Sequence, residues 1–211
     1  MQSHRLQQPF DRVVLFSDAV FAIAITLLVI EIRLPEISNR ASDALYWQAL
    51  AALIPNFVGF AVSFAVIGAF WAGHHRSFSL AAQFDRRIML PNLLLLGAIA
   101  LMPFLTAFMS AHNGRVVPAT LYWGWLILTA LLSLRVNGIV TSAPMVGEDV
   151  PADVSAAVRR RSRSVILAAM TAFCLAFVIP RVAFVGMATI PAWFALLKTI
   201  DGRSRRAAPQ P

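Results

Sequence analysis

Charge is what this sequence has least of. Asp, Glu, Lys and Arg make up 13% of its 211 residues, about half the roughly 25% usual in soluble domains. Mean hydropathy is +0.72 and the AVILMFWYC set reaches 59%, more apolar surface than a soluble globule of this size keeps from water. The same scarcity excludes a disordered chain, whose composition is polar and charge-rich. Cysteine is almost missing: Cys174 stands alone. That excludes an intrachain disulfide and a cysteine-built zinc site. Deep in an apolar run, Cys174 reads as a small buried hydrophobe. Alternating segments of about ten residues are lacking, which excludes a transmembrane β-barrel. No nucleophile–base pair, metal-ligand spacing or cofactor loop stands out. An enzyme is therefore the least favoured class, and no cofactor is implied.

Long apolar runs are what the chain has in quantity. A helix crossing the hydrocarbon core needs about 20 mostly apolar residues. Six runs qualify: Val13–Leu34, stopped by Pro35; Leu45–Gly73; Ile88–Ser110; Ala119–Leu134; Val165–Ile179, closed by Pro180; and Val182–Leu197, with Pro191 inside it. The last two are short and nearly contiguous, and form either a thin spanning hairpin, the favoured reading, or a re-entrant pair. The first is too long for a signal peptide and carries Asp18 and Glu31, so it reads as a retained helix. The expected fold is an all-α integral membrane protein of six transmembrane helices, forming one domain over residues 1–200. Residues 201–211 read as a disordered basic tail.

The net charge of +8 suggests nucleic acid or an acidic surface until the charges are placed. Alternating the spans puts Arg5, Arg12, Arg76, Arg86, Arg87, Arg135, Arg159, Arg160, Arg161, Arg163, Lys198, Arg203, Arg205 and Arg206 on one side. Only Arg33, Arg40, Arg115 and Arg181 fall on the other. This is a positive-inside pattern with both termini cytoplasmic. The cluster at Arg159–Arg163 is too crowded for a voltage sensor, which needs Arg at every third residue. It reads as an orientation anchor in contact with anionic lipids at the cytoplasmic face. No nucleic-acid partner is implied. The five tryptophans suit interfacial belts. Asn56 and Ser63, seven apart on one face, suit interhelical hydrogen bonds.

The first helix is the informative segment. Asp18 lies six residues into an apolar run and needs a protein or water partner. At 100° per residue, Ala19, Ile23, Thr26, Leu27 and Ile30 share one stripe. Asp18 lies on the opposite flank with Phe21. If one face lines something, the acid braces the other. An apolar stripe on a membrane helix is most often packing or lipid contact, and a lone threonine most often bonds back to its own helix.

Phe16-Ser17-Asp18-Ala19, preceded by Arg12 and followed by Ala-Ile-Ala-Ile-Thr-Leu-Leu-Val, resembles the first-helix signature of the transmembrane-protein-175 potassium channels. The second helix ends Phe70-Trp71-Ala72-Gly73-His74-His75-Arg76, similar to the family's ending there. One six-span repeat is like the bacterial form, which implies a homotetramer in the cell (plasma or inner) membrane. The resemblance implies a potassium channel without the usual Thr-Val-Gly-Tyr-Gly filter, weakly to moderately selective over sodium, with potassium as the only metal. It implies a pore lined by the first helix, with Ile23, Leu27 and Ile30 as a hydrophobic constriction that closes by dewetting. Thr26 would replace part of the ion's hydration shell. The family's polar network maps onto Arg12, Ser17, Asp18, Trp71 and His74 or His75, holding the first helix against the second. Two rivals stand beside this: a proton-permeable or proton-coupled cation carrier, motivated by Asp18 and the histidine pair, and a non-conducting scaffold. A carrier would show repeats or helices broken around a midplane site; Pro55 and Pro103 are the candidate breaks.

Overall fold

Hydrocarbon offers no partner to a backbone amide, so apolar runs of this length bond internally as helices. The computed structural model describes the backbone of residues 2–38 and 42–207, and the side chains of 10–38 and 42–202. Eight α-helices follow in order: α1 Gln2–Ile30, α2 Asp43–Ala52, α3 Ile54–Phe78, α4 Met89–Ala100, α5 Met102–Ala111, α6 Val116–Val140, α7 Ala152–Val178 and α8 Ile190–Ala207. Among the described residues the only β feature is an isolated antiparallel bridge between Ala81 and Val146. Six stretches are long and apolar enough to span: Phe10–Ile30, Asp43–Phe78, Arg86–Ala111, Val116–Val140, Ala152–Val178 and Pro180–Gly202. The number and order of spans match the sequence reading, and their ends differ in ways that prolines explain.

The first helix ends at Ile30, not Leu34. Pro35 forces the residue before it into extended backbone, and the chain leaves the helix early. The second run is two helices meeting at Leu53, and the third is two helices meeting at Leu101. Each joint lies two residues before a proline, Pro55 or Pro103. Proline fits the first turn of a new helix because its missing N–H would go unpaired there. Leu53 and Leu101 keep helical dihedrals, at φ −83°, ψ −5° and φ −85°, ψ −14°, so the joints are bends. At the second bend the Trp125 indole N–H, from α6, donates to the Ala98 carbonyl at 2.9 Å.

The largest correction concerns the fifth span. It starts at Ala152, not Val165, so Arg159–Arg163 lie within a helix and the expected long loop shrinks to residues 141–151. Two of these arginines are bonded there. Arg159 donates to the Thr141 carbonyl and hydroxyl oxygens at 3.1 and 2.9 Å, and Arg160 pairs with Asp201 at 2.9 Å. That pair ties α8 to α7. The helix continues to Ala207 through residues expected to be disordered, and residues 208–211 lie outside the described residues. Arg40 lies outside them too. Cys174 is exposed, not buried: α7 turns Ala168, Ala169, Ala172 and Ala176 inward, and Cys174 falls on the far side. Tryptophans were expected in interfacial belts. Trp47 stands free at 72% exposure, whereas Trp123 is fully buried in the core.

The sixth span begins as a 3-10 helix, Pro180–Thr189, before α8, and Pro191 opens α8 rather than interrupting it. This segment returns along α7 as a hairpin. The approach is close enough to demand glycine: a Cβ on Gly186 would lie 2.5 Å from the Ala172 amide nitrogen. Gly186→Ala is expected to cost about 1–3 kcal/mol by overpacking. Gly138, with nothing within 4 Å of an added Cβ, provides the contrast. Thermal unfolding in detergent should show a lowered midpoint for Gly186→Ala and an unchanged or raised one for Gly138→Ala.

Candidate functional site

Helix α1 has two faces of different character. Ser17, Phe21, Ala24 and Leu28, spaced four, three and four apart, are buried. They pack on α3, α4 and α5, and Phe10 stacks on Phe78 at 5.9 Å. The other face is bare. Arg12, Phe16, Ala19, Ile23, Thr26 and Ile30 follow one another at steps of four and three, and all six are exposed. Ile23 is 58% and Ile30 68% exposed, with Leu27 on the flank at 40%. Alternating steps of three and four form the seam along which helices self-associate. This is the stripe expected from helical arithmetic, and the rest of the described residues leave it uncovered.

Thr26 donates its hydroxyl to the Ile23 carbonyl at 2.9 Å, the back-bonding expected of it. The donated proton leaves the oxygen's lone pairs directed away from the helix. The hydroxyl therefore presents acceptor character, the polarity a cation requires. Ile23 and Ile30 stand about 5 Å below and 6 Å above it along the axis. A thin polar layer thus lies between two apolar ones.

Asp18 finds its partner on α3: the Trp71 indole N–H donates to its Oδ1 at 2.9 Å. His75 stacks on Trp71 with ring centres 5.7 Å apart. His74, one residue earlier, points elsewhere, as neighbours on a helix must. It is buried between Phe78, stacked at 4.1 Å, and Phe21, tilted at 5.6 Å. His74 Nε2 bonds the Asn92 Oδ1 at 2.9 Å, Asn92 Nδ2 donates to Ser17 Oγ at 2.9 Å, and Ser17 donates to the Val13 carbonyl at 2.7 Å. An amide oxygen only accepts, so His74 carries its proton on Nε2 in this arrangement.

The expected polar set is thus divided. Asp18, Trp71 and His75 form an exposed cluster, while Ser17 and His74 belong to a buried chain. Arg12 joins neither; among the described residues it makes no side-chain hydrogen bond or ion pair. Asn92, the link in the buried chain, escaped sequence reasoning. Its signal is a lone amide in the run Leu90-Pro91-Asn92-Leu93-Leu94, because a polar side chain in a membrane helix seeks a neighbouring helix. A second buried chain joins Thr106 to Ser63 at 2.7 Å and Ser63 to the Tyr122 hydroxyl at 2.9 Å, linking α5, α3 and α6. Ser63 behaves as expected, whereas Asn56 makes no side-chain hydrogen bond among the described residues.

Comparison with known proteins bears on this arrangement. The family described as endosomal/lysosomal potassium channel TMEM175 matches residues 12–103, the stretch holding α1 from Arg12 onward, with Asp18, Trp71, His74 and Asn92. A potassium channel of Streptomyces collinus is 44% identical over 101 residues, covering 48% of this chain and 48% of that protein. The human endosomal/lysosomal proton channel TMEM175 is 35% identical over 109 residues, covering 48% of this chain and 21% of that one. The matches to these two thus span about half of the bacterial relative and a fifth of the human one. In three dimensions the correspondence is broader. The crystal structure of a lysosomal potassium-selective channel TMEM175 homolog from Chamaesiphon minutus superposes with a TM-score of 0.75 at 30% identity, over 90% of this chain and 97% of that one. With signature and fold both shared, the chain belongs to the TMEM175 family.

Proposed function

We propose that this chain is one subunit of a potassium channel, a homotetramer whose pore is lined by α1. The observation that carries the reading is the uncovered seam of Arg12, Phe16, Ala19, Ile23, Thr26 and Ile30 on a helix otherwise braced from behind. A single such helix encloses nothing. Copies around a rotation axis bring like residues into rings. Four Ile23 side chains form an apolar constriction that closes by dewetting, with Leu27 and Ile30 extending it. The Thr26 ring offers four hydroxyl oxygens to a cation shedding water. Potassium sheds its shell more readily than sodium, so one sparse ring yields a modest preference. The brace of Asp18, Trp71, Ser17, Asn92 and His74 sets the seam's orientation without touching the ion. Supporting this are the potassium-channel names of the bacterial relatives and the family to which the chain belongs.

Flux into liposomes under potassium, sodium and proton gradients tests the reading. Potassium flux above sodium flux at channel rates is expected. Proton flux alone would move the assignment to the proton-permeable alternative. Ile23→Asn should hydrate the constriction and raise basal flux, and an unchanged flux removes Ile23 from the pore. Thr26→Ala should lower the potassium-to-sodium ratio about threefold, in keeping with one modest polar contact. Asp18→Leu leaves the Trp71 N–H without an acceptor and should cost about 1–3 kcal/mol of subunit stability. Asp18→Asn retains an acceptor and should fall between; melting curves read both.

A further inference from the structure

A groove of about 430 Å³ opens between α3, α6, α7 and the hairpin that leads into α8. It lies apart from the α1 seam. Its walls are mainly apolar, with Ala69 on α3, Val158 and Val165 on α7 and Phe194 on α8. Two walls also carry a guanidinium: Arg76 ends the α3 wall and Arg161 stands on the α7 wall. No Asp or Glu lines it. These two arginines differ from their neighbours Arg159 and Arg160, which are bonded within the chain. Among the described residues neither Arg76 nor Arg161 has a side-chain hydrogen bond or an ion pair. Asn137, also in the lining, has a buried Oδ1 with no partner.

We infer that this groove is a site for an anionic membrane lipid, with an acyl chain along the apolar wall and the phosphate held by Arg76 and Arg161. Each half of the groove excludes a rival occupant. A soluble anion would satisfy the guanidiniums and leave the apolar wall against water. A zwitterionic lipid would cover the wall but bring a quaternary ammonium beside two guanidiniums, leaving their net charge uncompensated. Guanidinium forks match phosphate oxygens, and basic pockets between membrane helices at the basic end of a bundle take anionic headgroups. The site also adjoins the brace of α1. Ala69 and Arg76 lie on α3, the helix that presents Trp71 to Asp18 and His74 to Asn92, so an occupied groove wedges α3 from behind.

Native mass spectrometry of the purified protein tests the site, with phosphatidylglycerol and phosphatidylcholine of matched chains added after delipidation. Phosphatidylglycerol should bind more tightly. Arg76→Gln with Arg161→Gln should weaken it by about thirtyfold, roughly fivefold for each arginine near the headgroup. Arg163→Gln, an exposed neighbour outside the groove, should leave binding unchanged. Ala69→Trp fills the apolar wall and should lower retention of the lipid while both arginines remain. Equal binding of the two lipids overturns the inference. So does a loss in Arg163→Gln as large as in the double variant, or displacement of the lipid by an equal concentration of soluble glycerol phosphate. Dissociation of the oligomer in the double variant, with lipid retained, would identify the groove as a contact between copies and overturn it too.

Discussion

Asn92 holds α1 in place, and much of the chain's geometry depends on that hold. Its amide lies between His74 on α3 and Ser17 on α1, donating to one and accepting from the other. Buried away from water, each of these groups would otherwise be unpaired, at a cost of about 1–3 kcal/mol apiece. The chain of bonds therefore acts as a rotational lock. Ser17 is turned inward, and Phe21, Ala24 and Leu28 follow it into the core at helical spacing. What remains outside is decided by the same rotation. A turn of one residue, about 100°, would bury part of the seam and expose the brace.

Packing alone would hold α1 less specifically. Between helices in lipid the hydrophobic effect supplies little, and close fit with interhelical hydrogen bonds must serve instead. This chain uses both means. Polar side chains join α1, α3 and α4, and others join α3, α5 and α6. Small residues bring α7 and the 3-10 segment together, with Gly186 against Ala172. Positive charge is put to varied use at the basic end. Arg159 and Arg160 fasten the start of α7 to the preceding turn and to α8, whereas Arg76 and Arg161, beside an apolar groove, make no ion pair among the described residues.

The spans, their order and the exposed stripe of α1 were legible in the sequence because period and length are local properties. The bends at Leu53 and Leu101 were half legible, since Pro55 and Pro103 marked them without saying whether the chain would stop or continue. The start of α7 was not legible from hydropathy: Ala152–Arg163 is polar, and only its alanine and arginine content favours a helix. Partner choice was the least accessible. Asp18 required a partner, but nothing local distinguished Trp71 from a histidine or Arg12. Asn92 looked like one polar residue among leucines until the tertiary fold put it beside Ser17 and His74. The exposure of Cys174 is of the same kind, because which side of α7 faces inward depends on its neighbours.

The bend at Leu101 has a bearing on motion. A helix interrupted at mid-span is commonly regarded as a hinge. Here the Ala98 carbonyl, five residues before Pro103, accepts from the Trp125 indole N–H on α6. Trp125 is half-buried, and moving Ala98 away from α6 would leave its indole N–H to find another acceptor. The bend is therefore tied to α6 as well as shaped by its own proline, and α1 packs on both helices that meet there, α4 and α5. A rearrangement that moved α1 would have to carry this curved wall along or slide against it.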